Sequence, residues 1–306
     1  MPFKITILGS SGAVPAYGRV PSSQFIEIKN HYFLIDCGEG AQLQMMKYDL
    51  HMHRIDHIFI SHLHGDHYLG LMGLLFTLHL NRRTADLHLY SHKGLDEIIT
   101  TQLRYSKSAL HFNIIFHTLT PGKQEVIFEN KHVSVETIPL LHKLDCSGFL
   151  IKEQTKPRRV DKERLPDGLL IRQIAALKEG SDILDEETGK ILFKNEDLTL
   201  PPRKSRSYAY CSDTAYHEPV IEQIRGIDML YHEATFISED ESKAIETKHS
   251  TASQAAHMAS KAQVKKLLIG HFSARYKDLT PLLKEASSVF PNTTLAQEGE
   301  TLVLEE

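Results

Sequence analysis

Residues 61–70 read SHLHGDHYLG, so that His62, His64, Asp66 and His67 place four side chains able to ligate a metal within six positions, directly after the apolar run HIFI. No other feature restricts the fold as strongly. In an extended segment residues two apart share a face, so His62 and His64 point the same way, and Asp66 and His67 follow at the turn into a helix. One histidine after a strand is more often a hydrogen-bonded loop residue than a ligand. Four ligand types without a packing role are better explained by a metal, and such a centre needs further donors from distant segments.

The rest of the chain offers those donors at equivalent places. Apolar runs of strand length, separated by turn signals, alternate with segments of helical spacing: FKITILG, SQFIEI, HYFLIDC, HIFIS and DLHLYS read as strands, and AQLQMMKY, YLGLMGLLFTLHLNRR and GLDEIITTQLRYS as helices. After residue 206 the pattern resumes with YAYCS, MLYHEATF, KKLLIG and TLVLEE as strands, and ASQAAHMASKA and PLLKEASSVF as helices. Thr251 and Gln254 have the spacing of a capping box. His62 follows HIFIS, His142 follows VSVETIPLL, Asp213 follows YAYCS and His271 follows KKLLIG. In layered α/β folds the C-terminal ends of parallel strands lie along one edge, where these side chains can converge. Asp36 also ends a strand, with a turn role and a role in orienting ligands equally open.

Composition enters as an exclusion. With 41% hydrophobic and 24% charged residues the chain reads as globular. No apolar run has the length of a signal peptide core or a membrane span, so no membrane association and a cytoplasmic location are expected. Cys37, Cys146 and Cys211 are odd in number and widely spaced, which argues against a disulfide framework. Most of the 19 histidines, among them His79, His88, His117 and His257, are expected at the surface or in packing.

HLHGDH with these downstream positions resembles the metallo-β-lactamase superfamily, which implies an α/β fold, an αββα sandwich with a dinuclear metal site on its edge. HEATF at 232–236, HST at 249–251 and GHFSARY at 270–276 narrow the resemblance to the ribonuclease Z family, endonucleases that trim the 3′ end of precursor tRNA. The resemblance runs from ILGSSGAVP to VFPN. It implies two Zn2+ per subunit, with Mn2+ tolerated: one ion on His62, His64 and His142, the other on Asp66, His67 and His271, and Asp213 bridging them. It further implies a proton-accepting role for Asp66, and His249 as proton donor to the leaving 3′-oxygen, oriented by Glu233. The bland alternative is that His249 merely flanks a helix N-terminus, whose dipole would disfavour its charge. Ser273, Arg275 and Tyr276 offer donors suited to phosphate oxygens. Cleavage near the discriminator base, leaving a 3′-hydroxyl on the tRNA and a 5′-phosphate on the trailer, follows from the same resemblance, as does a homodimer.

One stretch departs from the α/β rhythm. Residues 152–200 are rich in charge, proline and glycine and read as an insertion within a single catalytic domain spanning 1–306. In KPRRVDKERLPDG the basic Lys156, Arg158, Arg159, Lys162 and Arg164 outnumber Asp161 and Glu163, although the chain as a whole carries a net charge of -4. A charge run is usually a solvated surface; the family resemblance makes this one a flexible arm that grips tRNA phosphates. PPRKSRS resembles the family's PxKxRN loop at the cleavage site, with Lys204 and Arg206 matching and Ser207 in place of Asn. Ser212 similarly precedes Asp213 where Gly is common. Competing readings are a superfamily hydrolase of a small ester, lactone or cyclic phosphodiester, which should lack the arm and the HEAT and HST elements, and a noncatalytic RNA-binding scaffold, which should lack ligands.

Overall fold

The computed structural model describes residues 2–185 and 187–305. Its strands in chain order are β1 (Phe3–Gly9), β2 (Ser23–Ile28), β3 (His31–Cys37), β4 (His57–Phe59), β5 (Leu87–Ser91), β6 (Ile114–Thr118), β7 (Val126–Glu129), β8 (Val133–Pro139), β9 (Ser147–Glu153), β10 (Arg159–Val160), β11 (Ile183–Leu184), β12 (Ile191–Phe193), β13 (Thr199–Leu200), β14 (Ser207–Cys211), β15 (Met229–Glu233), β16 (Lys266–Gly270), β17 (Thr293–Leu295) and β18 (Thr301–Leu304). The helices are α1 (Ala41–Lys47), α2 (Gly65–Tyr68), α3 (Leu71–Leu80), α4 (Leu95–Tyr105), α5 (Ile171–Lys178), α6 (Asn195–Leu198), α7 (Glu241–Thr247), α8 (Ala252–Lys261) and α9 (Thr280–Val289).

Two units emerge, one of residues 1–151 with 207–305 and one of 152–206. In the larger, two seven-stranded sheets run in the orders β18-β1-β2-β3-β4-β5-β6 and β17-β16-β15-β14-β9-β8-β7 among the described residues. Alternation along β1 explains the layering: Phe3, Ile5 and Ile7 join Phe33, Phe59, Phe149, Tyr208 and Tyr231 in the core between the sheets, whereas Leu8 faces outward. Outside the first sheet Leu8, Leu34 and Ile58 pack on Met45 of α1, Leu74 and Leu78 of α3 and Leu95 and Ile99 of α4. Outside the second, Leu230 and Leu267 pack on the alanine-rich face of α8 and on Leu282 and Ala286 of α9. The result is the expected αββα sandwich.

Strands β3, β4, β5 and β6 are mutually parallel, as are β14, β15, β16 and β17. The long helix read over YLGLMGLLFTLHLNRR instead begins at Leu71, behind the separate turn α2. The break is at Gly70, whose N–H donates to the Cys37 carbonyl at 2.9 Å; a Cβ there would sit 2.2 Å from the Gly38 carbonyl oxygen. This close approach fastens the HLHGDH segment to the end of β3. At the next helix the capping box is present, with Thr251 Oγ1 accepting from the Gln254 N–H and Gln254 Oε1 from that of Thr251.

The smaller unit is more than a charged excursion. Leu177 of α5, Ile183 and Leu198 form a small core, with Leu165 and Leu169 against it. Asn195 Nδ2 donates to the carbonyls of Leu177 and Ser181. Arg206, assigned to a cleavage-site loop by resemblance, is instead a structural cation: it is 2% exposed, and its Nε and Nη2 donate to Glu153 at 3.0 and 2.6 Å. Removing one member of such a buried pair costs about 3–5 kcal/mol, so its charge is committed to the fold.

On the neighbouring parallel strands β3 to β6, His31, His57 and His88 lie at or near the N-terminal ends, and His117, further along β6, reaches His88 at 2.9 Å. His57 is 7% exposed, stacks 4.8 Å from His88 and meets Phe128 of β7 at 4.3 Å. Burial lowers its pKa from 6.5 to about 4, against the attraction of Asp56 and helped by repulsion from the other three histidines. The unfolded chain therefore takes up this proton first, so stability is unaffected above pH 6.5 and falls between 6.5 and about 4. Across that window the group costs roughly 3 kcal/mol, and His57→Phe, compared with wild type by urea denaturation, is expected to lose that much less stability on acidification.

Candidate functional site

Parallel strands that end on one edge bring the sequence-predicted donors together. His62 follows β4, Asp213 follows β14, His271 follows β16, and His142 lies beyond β8. Asp213 is central: its Oδ2 is 3.5 Å from His62 Nε2 and 3.8 Å from His142 Nε2, while its Oδ1 is 3.4 Å from His67 Nε2 and 3.1 Å from His271 Nε2. His64 Nδ1 completes the first group, 2.9 Å from His62 Nε2 and 3.2 Å from His142 Nε2. Asp66 Oδ2 completes the second, 3.4 Å from both His67 and His271. Two donor sets able to hold a cation result, His62, His64, His142 and Asp213 on one side and Asp66, His67 and His271 on the other.

The rings of His62, His67, His142 and His271 are held from behind. His67 Nδ1 donates to Asp36 Oδ2 at 2.8 Å, His142 Nδ1 to the Lys248 carbonyl at 2.9 Å and His271 Nδ1 to Thr235 Oγ1 at 2.9 Å. Ser61 Oγ lies 3.1 Å from His62 Nδ1. With the outward nitrogen of these four committed, Nε2 presents its lone pair to the centre, as metal-binding histidines commonly do, while His64 faces it through Nδ1. Asp36 is fixed in turn by the Ser61 N–H and hydroxyl and by Tyr210, so its role is to orient His67. The backbone carries strain here, since Asp36, Lys248 and His271 all take φ between 53 and 57°. Gly12 is required beside them, because a Cβ would stand 2.7 Å from the His271 ring. Ala13, in the same SSGAVP loop, donates its N–H to Asp66 Oδ2 at 2.8 Å.

The charges test whether a cation belongs. Burial, with repulsion from His67, keeps the His62 pKa well below its usual value, and burial also lowers those of His64 and His142. These rings therefore favour the neutral form, in which they can ligate a metal. His67 goes the other way: burial opposes its charge, yet Asp213, Asp36 and Asp66 raise its pKa well above the usual value. Its Nε2 is nonetheless buried without a hydrogen-bond partner. The donor set thus demands positive charge at a point where the chain supplies only an awkward proton, and a divalent cation fits it.

A third element is the pair His249 and Glu233. His249 Nδ1 lies 2.8 Å from Glu233 Oε1, and its Nε2 is 4.0 Å from Asp213 Oδ2. Burial opposes protonation of His249, but Glu233 and then Asp213 raise its pKa to about 9. The carboxylate outweighs the nearby helix N-terminus. Glu233, fully buried, accepts from the N–H groups of Thr214 and Thr235 and from the Thr235 hydroxyl. Sequence reasoning did not pick out Thr235, which ties Glu233 to His271, although it stands within HEATF.

These groups open into a cavity of about 440 Å³ that also reaches Leu69, Lys143 and Thr247. Ser273, Arg275 and Tyr276, expected to meet phosphate, are not among its lining residues. Tyr276 is bonded to Asp240 and to the Ile237 N–H, Arg275 lies over the Phe236 ring and 3.9 Å from Asp240, and Ser273 Oγ accepts from Arg275. In the smaller unit, Lys156 pairs with Glu153 and the Lys204 carbonyl, Arg158 Nε donates to Thr199 Oγ1 and Arg159 Nε to the Pro201 carbonyl. Arg159 and Lys204 are exposed.

Comparisons with known proteins agree with this geometry. Residues 3–157 match the family model described as anti-Pycsar protein Apyc1, and residues 197–272 match that of the beta-lactamase superfamily domain. A ribonuclease Z of Cytophaga hutchinsonii is 47% identical over 306 residues, covering 100% of this chain and 97% of its own. One from Bacteroides fragilis is 45% identical over 302 residues, covering 97% of each. The crystal structure of human tRNase Z, short form, superposes with a TM-score of 0.72 at 25% identity over 98% of each chain.

Substitution of Asp213 by Ala removes the carboxylate shared by both donor sets, and bound divalent metal per chain, measured by elemental analysis after dialysis, is expected to fall. Asp36→Ala leaves every donor in place but frees His67, and is expected to weaken metal affinity about 10–100-fold.

Proposed function

The chain belongs to the ribonuclease Z family, its N-terminal half falling within the Apyc1 sequence family as well, and from that premise we propose how its site works. The protein is an endoribonuclease of tRNA 3′ processing, a phosphodiester hydrolase. The finer reading is that it cuts precursor tRNA near the discriminator base, leaving a 3′-hydroxyl on the tRNA and a 5′-phosphate on the trailer. It does so as a homodimer in the cytoplasm, with two Zn2+ per subunit and Mn2+ tolerated. The observation that carries the two-ion reading is the division of Asp213, one oxygen toward each donor set.

In this reading His62, His64 and His142 with Asp213 Oδ2 hold one ion, and Asp66, His67 and His271 with Oδ1 the other, a nitrogen and oxygen set suited to zinc. When bound, such a pair supplies Lewis-acid stabilisation of charge developing on the phosphoryl oxygens and acidifies a water. The chain's own residues do the rest. Asp66 is held by Ala13 and has its pKa depressed by His67 against the effect of burial. It therefore stays ionised and accepts the proton of the attacking water, passing it on to solvent. His249, kept protonated by Glu233, delivers a proton to the leaving 3′-oxygen.

The smaller unit contributes substrate affinity. Exposed Arg159, Lys162, Arg164 and Lys204, with Lys156 and Arg158 less exposed, supply phosphate contacts that position RNA without reading its sequence. This explains how a chain of net charge -4 holds a polyanion.

Incubation of the zinc or manganese enzyme with a precursor tRNA bearing a 3′ trailer is expected to give one cut near the discriminator with a 3′-hydroxyl, lost in Asp213→Ala. Cleavage scattered along the trailer would count against the reading. Loss of the carboxylate in Glu233→Gln lowers the His249 pKa, so the acid is deprotonated sooner as pH rises. The alkaline limb of kcat is expected to move to lower pH, with kcat reduced about 10²-fold or more.

A further inference from the structure

Next to the catalytic cavity lies a second one of about 150 Å³, lined by Leu63, His92, Lys93, Leu144 and Asp145. The two share chain segments, since Leu63 precedes His64 and Leu144 follows Lys143, and both His64 and Lys143 line the larger cavity. The second cavity is therefore bordered by the same two chain segments as the catalytic one. Its chemistry is mixed in a particular way. Leu63 and Leu144 are apolar, and Leu144 is 42% exposed. Lys93 and Lys143 are exposed and have no ion-pair partner among the described residues. His92 is 4% exposed and bonded through Nε2 to Ser147 Oγ at 3.1 Å, while its buried Nδ1 has no hydrogen-bond partner. Asp145 adds a carboxylate acceptor.

We propose that this cavity is a nucleotide subsite, an inference that rests on the ribonuclease reading: it takes one unpaired ribonucleotide flanking the cut. The base lies against Leu63 and Leu144, and its two phosphates face Lys143 and Lys93. An A-form duplex keeps its bases stacked inside and offers only backbone, so a cavity with apolar walls can be entered only by a splayed, single-stranded nucleotide. Asp145 would repel a phosphate but accepts hydrogen bonds from a base amino group or a ribose hydroxyl. One lysine lines each cavity, Lys143 the catalytic one and Lys93 its neighbour, so that each can meet one of the two phosphates of a nucleotide. The flanking nucleotide belongs either to the trailer or to the discriminator side, and the substrate decides which.

The test is steady-state cleavage of precursor tRNA by the metal-loaded full-length enzyme and its Lys93→Met, Lys143→Met, Lys93→Arg and Lys143→Arg variants, over a range of salt. Each Met variant is expected to raise KM about tenfold with kcat within about twofold, and to flatten the dependence of log(kcat/KM) on log salt by about 0.7. The Arg variants retain the wild-type slope. A Lys93→Met penalty that vanishes when the trailer is cut to a single nucleotide assigns the subsite to the trailer; one that persists assigns it to the discriminator side. Wild-type KM and salt slope in both Met variants overturn the proposal. A wild-type enzyme that leaves precursor tRNA intact overturns the ribonuclease reading instead, and the two failures are distinct.

Discussion

Three carboxylates, Asp36, Asp66 and Asp213, surround the fully buried ring of His67. Charge of one sign gathered in a protein interior must be neutralised or shed. Protonating the acids would do so, but Asp66 and Asp213 both have depressed pKa values, with burial opposing and the histidines prevailing. The centre consequently depends on positive charge, and the surrounding architecture can be understood as the means of keeping seven donors in place around it. Asp36, Thr235 and the Lys248 carbonyl each hold the outward nitrogen of one ring, which leaves the inward lone pairs no alternative orientation.

That requirement explains the sheet topology better than packing does. Four donors must arrive from segments as far apart as residues 62 and 271. Parallel strands solve the problem because all of them end on the same side, and the paired sheets bring two such rows of ends together. The opposite edge shows what the same topology does without a cation. There the histidines of β3 to β6 line up among aromatic rings and are kept neutral where burial is deepest, as at His57. The same residue type forms a donor set able to hold a cation at one edge and a packing group at the other, and the difference lies in how many carboxylates face it.

This is also why some of the site could be read in the sequence and some could not. His62, His142, Asp213 and His271 were legible because each directly follows a recognisable apolar strand, so that position along the chain translates into position in space. The layering followed from alternation such as that in β1, and the insertion from its proline, glycine and charge. Partner choice across long separations left no such trace. Lys204 and Arg206 are equivalent as letters in PPRKSRS, yet one is exposed and the other is buried against Glu153, 53 residues away. Tyr276 and Arg275 follow a ligand closely, which suggested contact with phosphate, but Asp240 claims both. Thr235 is a common residue made important only by the approach of His271. Local pattern specifies where the chain goes; burial and pairing specify which atoms remain free for chemistry.

The distribution of cations follows from the same division. A nuclease centre crowded with carboxylates repels RNA until its metals are bound, and the net charge of the chain gives no help at long range. Affinity must therefore come from basic groups that stand away from the centre and reach solvent. Arg206 is buried against Glu153, whereas Arg275 is exposed and only loosely paired with Asp240. On the reading proposed above, the exposed basic groups of the 152–206 unit hold the body of the tRNA, and Lys93 and Lys143 the few nucleotides around the cut. Contacts of the first kind hold any RNA of suitable shape, since phosphates carry no sequence information. Discrimination of the cleavage position then falls to whichever nucleotide can leave the helical stack and enter the narrow cavity beside His64, a geometric criterion that a duplex cannot meet.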